Sequence, residues 1–272
     1  MKPSNKKYMV KKSLLAVLVI SAILSSCSKY DKLLKSSDYN LKYTKALEYY
    51  EKKDHYRSAT LLEQLVSVYK GTQRADTIEF YLANGYFHQG DYLLANHYFD
   101  KFRRNYPRSI FTEEAEFMYA YCYYKSSPRP LLDQETTNMA LASFLEFSAK
   151  YPRTSHKKEV DTIMDELRNK LVEKSHISAK LYFDIGDYKA AIVSLKNSLQ
   201  DYPNSTYREE QLFMVLQASY LLAENSVPSK RRERFQNTID DYFSLIGEYP
   251  KTKYLKDAEK IYSNSIKVTG NQ

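Results

Sequence analysis

Residues 83–107 read Ala-Asn-Gly-Tyr-Phe-His-Gln-Gly-Asp-Tyr-Leu-Leu-Ala-Asn-His-Tyr-Phe-Asp-Lys-Phe-Arg-Arg-Asn-Tyr-Pro. Each residue type in this stretch has a mechanical reading. Small Ala83 and Ala95 let two helices approach closely, and Gly90-Asp91 supplies the turn between them. Phe99 and Phe102 share one face at i, i+3 spacing and fill a groove towards the next element. Pro107 cannot continue a helical hydrogen-bond ladder and biases Tyr106 away from helix, so the second helix stops there. Ser109 is then expected to cap the following helix, with Glu113 and Glu114 in its first turns. The ending recurs as Tyr106-Pro107-Arg108-Ser109, Tyr151-Pro152-Arg153-Thr154, Tyr202-Pro203-Asn204-Ser205 and Tyr249-Pro250-Lys251-Thr252. Tyr69-Lys70-Gly71-Thr72 is a fifth copy without proline. Twelve residues before each proline stands a small residue, Ala95, Ala140, Ala191 or Thr238.

A unit that recurs with fixed internal spacing identifies a repeat architecture. Ala83, Tyr86, Gly90, Asp91, Tyr92, Ala95, Phe99, Phe102 and Pro107 match the tetratricopeptide pattern over its frame of about 34 residues. Ala179, Tyr182, Gly186, Asp187, Tyr188, Ala191, Leu195 and Pro203 repeat the scheme. A first repeat keeps Ala46, Tyr56 and Ala59 but carries Lys53-Asp54-His55 where the Gly-Asp turn belongs. In the third, a helix from Glu113 to about Lys125 leads into Ser126–Asp133, and Asp133 caps a partner starting near Gln134. In the fifth, a helix from Arg208 to about Glu224 leads through Asn225–Ser229 to a basic start at Lys230-Arg231-Arg232. Residues 156–183 suit one extended helix, and 254–266 a terminal one that covers the last groove. The expected fold is all-α: a tetratricopeptide-like solenoid of five helix pairs plus a C-terminal capping helix, over 41–272.

The first twenty-six residues have a different character. Lys2, Lys6, Lys7, Lys11 and Lys12 form a basic start without acids, followed by an apolar run from Leu14 to Leu24. That run is too short for a span of roughly 20 apolar residues and has the layout of a signal peptide. Leu24-Ser25-Ser26-Cys27 resembles the lipobox of bacterial lipoproteins, in which the cysteine becomes the lipidated first residue. Residues 27–40, mostly polar, are expected to be the lipidated tether. Removing the five leader lysines from the net charge of +8 leaves +3, so the high pI gives little support for nucleic-acid binding. With Cys27 acylated, Cys122 is a lone thiol and no disulfide framework exists.

No catalytic constellation stands out. There is no phosphate-binding glycine loop, and no two of the five histidines lie at i, i+4 spacing. Cys122 reads as a small core residue within an aromatic helix. The chain is therefore read as a binding protein, not an enzyme, with no cofactor or metal beyond the lipid on Cys27. The repeat-two frame puts Thr77, Phe80, Asn84, Phe87 and His88 on the concave face of the array as a candidate peptide groove, with Phe80 and Phe87 as an aromatic pocket. His176, Lys180, Phe183 and Asp184 fall on that face in repeat four. Arg129, Asp133 and Gln134 in the Pro-x-Pro interruption, and Arg231 and Arg232 further on, are candidate partner-docking residues.

A lipobox followed by five such repeats, the third interrupted by Ser127-Pro128-Arg129-Pro130-Leu131-Leu132-Asp133-Gln134, resembles the BamD lipoprotein family. Residues 179–191 and Asn225-Ser226-Val227 with the basic helix after it add to the likeness, in the style of Bacteroidetes-like members. The resemblance implies a non-catalytic subunit of the outer-membrane β-barrel assembly machinery, anchored by lipid and facing the periplasm. It implies N-terminal repeats that receive the C-terminal segments of unfolded barrel proteins, and C-terminal repeats that hold the central barrel subunit. Ser28 and Lys29 after the lipobox cysteine form no acidic run, which fits retention at the periplasmic face. The alternative reading is another envelope scaffold of division or peptidoglycan assembly; such proteins usually add a coiled coil, and none is present in this sequence. A glycan-binding lipoprotein of the nutrient-uptake type would favour tryptophan platforms, and the chain has no tryptophan.

The lipobox makes the first prediction. Cys27→Ala removes the acyl anchor, whose chains contribute about 0.8 kcal/mol per buried CH₂. Fractionation of cells should find the variant in the soluble fraction; retention in the membrane pellet would refute the anchor.

Overall fold

The computed structural model describes residues 29–270, and every regular element among them is an α-helix. Cys27 and the leader lie outside the described residues. The helices are α1 (29–35), α2 (Tyr39–Glu51), α3 (His55–Val66), α4 (Ala75–His88), α5 (Tyr92–Asn105), α6 (Thr112–Ser126), α7 (Glu135–Lys150), α8 (Lys157–Asp184), α9 (Tyr188–Asp201), α10 (Arg208–Glu224), α11 (Pro228–Glu248) and α12 (Leu255–Thr269). They form two compact units, one of residues up to 126 with 142–154, the other of 127–141 with 155 onwards. The fold class is the one read from the repeats: tandem helix hairpins of the tetratricopeptide type.

Each hairpin is made by one local device. After α4, Gly90 adopts φ 82° and the Gly90 and Asp91 amides donate to the carbonyls of Phe87 and Tyr86. This left-handed closure satisfies carbonyls that a helix end leaves orphaned. The Asp91 carboxylate then accepts from the Leu94 amide at 3.0 Å, capping α5. Gly186-Asp187 repeats the geometry between α8 and α9, with φ 81° and Asp187 accepting from Ala190 at 3.1 Å. Lys53-Asp54 does the same between α2 and α3 without a glycine: Lys53 sits at φ 61° and Asp54 accepts from Arg57 at 3.2 Å.

The Tyr-Pro unit closes the other end of the hairpin. In all four copies the Ser or Thr amide donates to the tyrosine carbonyl, and Thr72 does so to Tyr69 in the copy without proline. The Tyr106 hydroxyl donates to Glu79 at 2.9 Å and the Ser109 hydroxyl to Asp76 at 2.7 Å, tying the end of α5 back to the start of α4. Thr252 and Glu209 make the corresponding contact at 2.6 Å in the second unit. Ser109 is therefore not the cap of α6. Its hydroxyl accepts from Phe111, inside an extra turn that precedes the helix at Thr112.

In the first unit α1 to α4 pack around Ala46, Ala59, Leu61, Leu62, Leu65, Ile78 and Leu82, and α5 and α6 follow in sequence, α5 on α4 and α6 on α5. A Cβ on Gly85 would meet the Ala59 Cβ at 3.1 Å, so the absent side chain sets the approach of α4 to α3. Phe99 and Phe102 are fully buried, as are the four small residues that precede the prolines. The span expected as a tether contains α1, whose Tyr30 and Leu33 join this core. Lys42 secures it, donating from Nζ to the Leu34 carbonyl at 2.9 Å and to Gln64 at 2.6 Å. Two buried side chains are enough to dock a helix of two turns, and so short a face does not register as amphipathic. Cys122 is buried, and burial pushes its thiol up to about 12, which leaves it inert.

In the second unit α8 is a single helix of 28 residues, about 42 Å long. Two clusters follow it, one around Ala179, Ala191, Leu195, Met214 and Ala218, the other around Phe213, Leu216, Leu245 and Ala258. Ala258 brings α12 onto α10 and α11, and Tyr254 stacks on Phe213 at 4.2 Å.

The turn device yields a paired prediction. A side chain in the left-handed region costs about 1–2 kcal/mol, so Lys53→Gly should raise stability by about 1 kcal/mol. Gly186→Ala should lower it by about 1–2 kcal/mol, although nothing lies within 4 Å of the added Cβ. Urea denaturation measures both; a loss at Lys53→Gly or a gain at Gly186→Ala would refute the account.

Candidate functional site

A cleft of about 470 Å³ opens in the first unit, lined by Leu47, Tyr50 and Glu51 of α2, Lys53 and His55 at the turn and start of α3, and Tyr81 and His88 of α4. Its wall is a continuous set of ring contacts. Tyr50 meets Tyr81 edge-on at 4.7 Å and His55 at 5.1 Å, and His55 stacks on His88 at 4.3 Å. The left-handed turn at Lys53 delivers this arrangement, because it starts α3 one residue after Asp54 and aims His55 across at the C-terminus of α4. Apolar walls with a few convergent polar groups are the general character of binding clefts.

The electrostatics follow from partial burial beside like charge. Burial, and then the neighbouring His88, hold the His55 imidazole below its usual range; burial and Lys53 do the same to His88. The His55 Nδ1 is buried without a hydrogen-bond partner. Burial first, then Tyr81 and Glu114, pushes the Tyr50 hydroxyl up to about 12. At neutral pH the cleft thus presents uncharged rings, with Glu51 and Lys53 as its charged members. Such a site can hold an aromatic or apolar group and bond a polar one. It offers no activated nucleophile.

The groove residues expected from repeat two separate here. His88 lines the cleft. Phe80 does not: it is buried, stacked on Phe111 at 4.5 Å and packed against Phe102, because the extra turn before α6 carries Phe111 over it. Asn84 is buried too and donates to the Phe80 carbonyl at 3.1 Å, so it serves its own helix. Phe87 is half-buried between Tyr92 and Tyr121, and Thr77 binds the Asp76 carboxylate at the start of α4. Tyr50, Tyr81, Leu47 and His55 were missed, since three of them belong to repeat one, whose turn lacks glycine. The one sequence signal was Lys53 standing where the other turns have glycine. In repeat four His176 is buried and stacked on Tyr207 at 4.2 Å, and Lys180 pairs with Asp184.

In the second unit the interruption is a built loop. Gln134 is buried and donates to the Arg129 and Leu132 carbonyls at 2.9 and 3.0 Å, while accepting from Thr137 at 2.7 Å. It is a staple and not a docking contact, since its polar atoms are taken up by the loop. Lys170 donates to the Ser127 hydroxyl at 2.7 Å and Lys174 to the Leu131 carbonyl at 3.1 Å, fixing the loop on α8. Arg129, Leu131, Leu132 and Asp133 are left exposed, and Asp133 caps α7 through the Glu135 amide. Arg231 and Arg232 are exposed on α11, with the Arg231 guanidinium over the Phe235 ring.

The histidine pair predicts a pH dependence. A histidine whose folded pKa lies below its unfolded value of about 6.5 binds its proton more readily when unfolded. Stability is therefore level above about pH 6.5 and falls as pH drops through the depressed range. His88→Gln should move the His55 midpoint up without restoring it fully, since burial remains its main cause. Proton NMR titration reads both changes; an unmoved His55 would refute the coupling.

Three comparisons bear on the chain. The family model described as YfiO, outer membrane lipoprotein, matches residues 36–235. A protein of Aquifex aeolicus (strain VF5), named as an outer membrane protein assembly factor, BamD, is 25% identical over 249 residues, covering 90% of this chain and 81% of that protein. Among solved structures, the TPR2AB-domain:pHSP90-complex of yeast Sti1 superposes with a TM-score of 0.40 at 11% identity, over 84% of this chain and 98% of that one. No helix among the described residues is long and apolar enough to cross a membrane. With the family model spanning α2 to the start of α11, the interruption and the cleft included, the chain belongs to the YfiO family of outer membrane lipoproteins, the BamD-like assembly factors.

Proposed function

We propose that this protein is a non-catalytic subunit of the machinery that assembles β-barrel proteins in the outer membrane. It is tethered by lipid on Cys27, faces the periplasm and works as a binding scaffold from α1 onwards. Its cleft takes the C-terminal segments of unfolded barrel proteins, which in the family resembled end in an aromatic residue. The observation that carries this reading is the ring-walled cleft of Leu47, Tyr50, His55, Tyr81 and His88, open in the part of the chain that the family model covers. An aromatic side chain entering it would meet ring edges and faces, each such pair worth about 0.5–1.5 kcal/mol beyond its burial.

The exposed part of the interruption supports a second role, docking of the central barrel subunit. Leu131 and Leu132 stand 57% and 49% exposed on a loop that Gln134 and Lys170 hold rigid. A pre-organised apolar pair flanked by Arg129 and Asp133 has the makeup of a small binding surface. Arg231 and Arg232 offer a separate cationic contact.

The test uses a ten-residue-scale peptide with a C-terminal phenylalanine and free carboxylate, labelled for anisotropy. Tyr50→Leu with His88→Ala should weaken its binding about tenfold or more, with unchanged helicity by circular dichroism. Unaltered affinity in that variant would remove the cleft from the mechanism.

A further inference from the structure

A second cleft of the first unit, of about 310 Å³, is lined by Lys29, Leu33, Leu41, Lys45, Glu48, Tyr49 and Lys52. Its floor is apolar and its rim is cationic. The Lys45 ammonium holds the Glu48 carboxylate in a salt bridge at 2.8 Å, and that bond, with Lys52 nearby, draws the carboxyl below its ordinary range. Three lysines and one glutamate line this cleft, so a net positive charge remains for a ligand. Leu41 is 44% exposed beside it.

Position gives this chemistry a meaning. Lys29 opens α1, and α1 is docked. Tyr30 lies edge-on to Tyr49 at 5.7 Å, the Arg57 guanidinium covers both rings, and the Tyr30 hydroxyl reaches the Arg57 carbonyl. The cleft mouth cannot drift from the start of the folded chain. Cys27 precedes Lys29 by two residues, a reach of at most about 7 Å for any path of the chain. An acylated Cys27 sits at the boundary of the hydrocarbon, and the headgroup layer above it is about 5–8 Å deep. The cleft is thereby held among lipid headgroups.

We propose that this cleft binds the phosphate headgroup of an anionic phospholipid in the leaflet that carries the anchor, with Lys29, Lys45 and Lys52 on the phosphate and Leu33 and Leu41 against the glycerol and upper acyl region. This rests on the lipoprotein reading of Cys27. It gives the first unit a defined face on the membrane in place of a loose tether, and leaves the ring-walled cleft as a separate site.

The experiment uses the full mature chain carrying Cys27→Ala, so that acyl insertion does not mask the contact. It is floated with vesicles of phosphatidylcholine alone or with about one-third phosphatidylglycerol, where each lysine at the surface contributes roughly a fivefold factor in partition. Binding should need the phosphatidylglycerol. Lys29→Gln with Lys52→Gln should lower it about thirtyfold. Lys70→Gln with Arg108→Gln, exposed charges away from the cleft, should change it less than twofold. Equal losses in the two pairs, or binding indifferent to phosphatidylglycerol, would overturn the site. Mass spectrometry of the native N-terminal residue judges the anchor separately: an unacylated Cys27 sinks the lipoprotein reading, whereas acylation with failed vesicle binding sinks the cleft alone.

Discussion

A helix followed at once by an antiparallel partner requires the chain to reverse within about two residues while its last carbonyls and the next helix's first amides still find hydrogen bonds. In this protein a left-handed residue followed by aspartate meets both demands. The left-handed backbone returns two amides to the outgoing helix, and the aspartate carboxylate caps the incoming one. Everything downstream depends on that closure, because it fixes which faces of the two helices meet. At the other end the Tyr-Pro unit breaks the second helix and sends Tyr106 and Ser109 back to carboxylates of the first. A hairpin locked at both ends can then be stacked by burying small residues where backbones approach and phenylalanines where they do not.

Departures from the regular unit coincide with the ring-walled cleft and with the exposed loop of the third repeat. Lys53 accepts a left-handed backbone that glycine would adopt without strain, and it stands at the mouth of the ring-walled cleft. Strain kept at a cleft is a recurrent property of functional positions. The third repeat replaces its tight turn with a loop held by Gln134 and two lysines of α8, and that loop presents two leucines to solvent. Ahead of the first hairpin, α1 is a helix too short to stand alone that persists because Tyr30 and Leu33 are buried.

The hairpins were legible because their determinants are local. Ala95, Ala140, Ala191 and Thr238 are all fully buried, and α8 and α10 begin and end within a residue of their expected limits. The cleft was legible only in part. His88 was found from the frame of repeat two, but Tyr50 and His55 come from the repeat before, and their meeting with Tyr81 and His88 depends on how closely α4 approaches α3. Phe80 illustrates the opposite error. Its place in the frame is that of a groove residue, yet Phe111, thirty-one positions on, closes over it. Frame arithmetic sees one repeat at a time, and a groove is made between repeats.

By itself the sequence determined what short-range physics decides: a helical chain, hairpins at each Gly-Asp or Lys-Asp turn, and helix stops at each Tyr-Pro. Those features depend on backbone sterics and on hydrogen bonds spanning a few residues, so residue identity and spacing suffice. Only the tertiary structure decided which aromatic rings are core and which line a cleft, that Gln134 staples its loop, and that α1 is docked. Those outcomes depend on contacts between residues tens of positions apart, where the loss of one side chain, as at Gly85, or one extra turn, as before α6, changes what is buried.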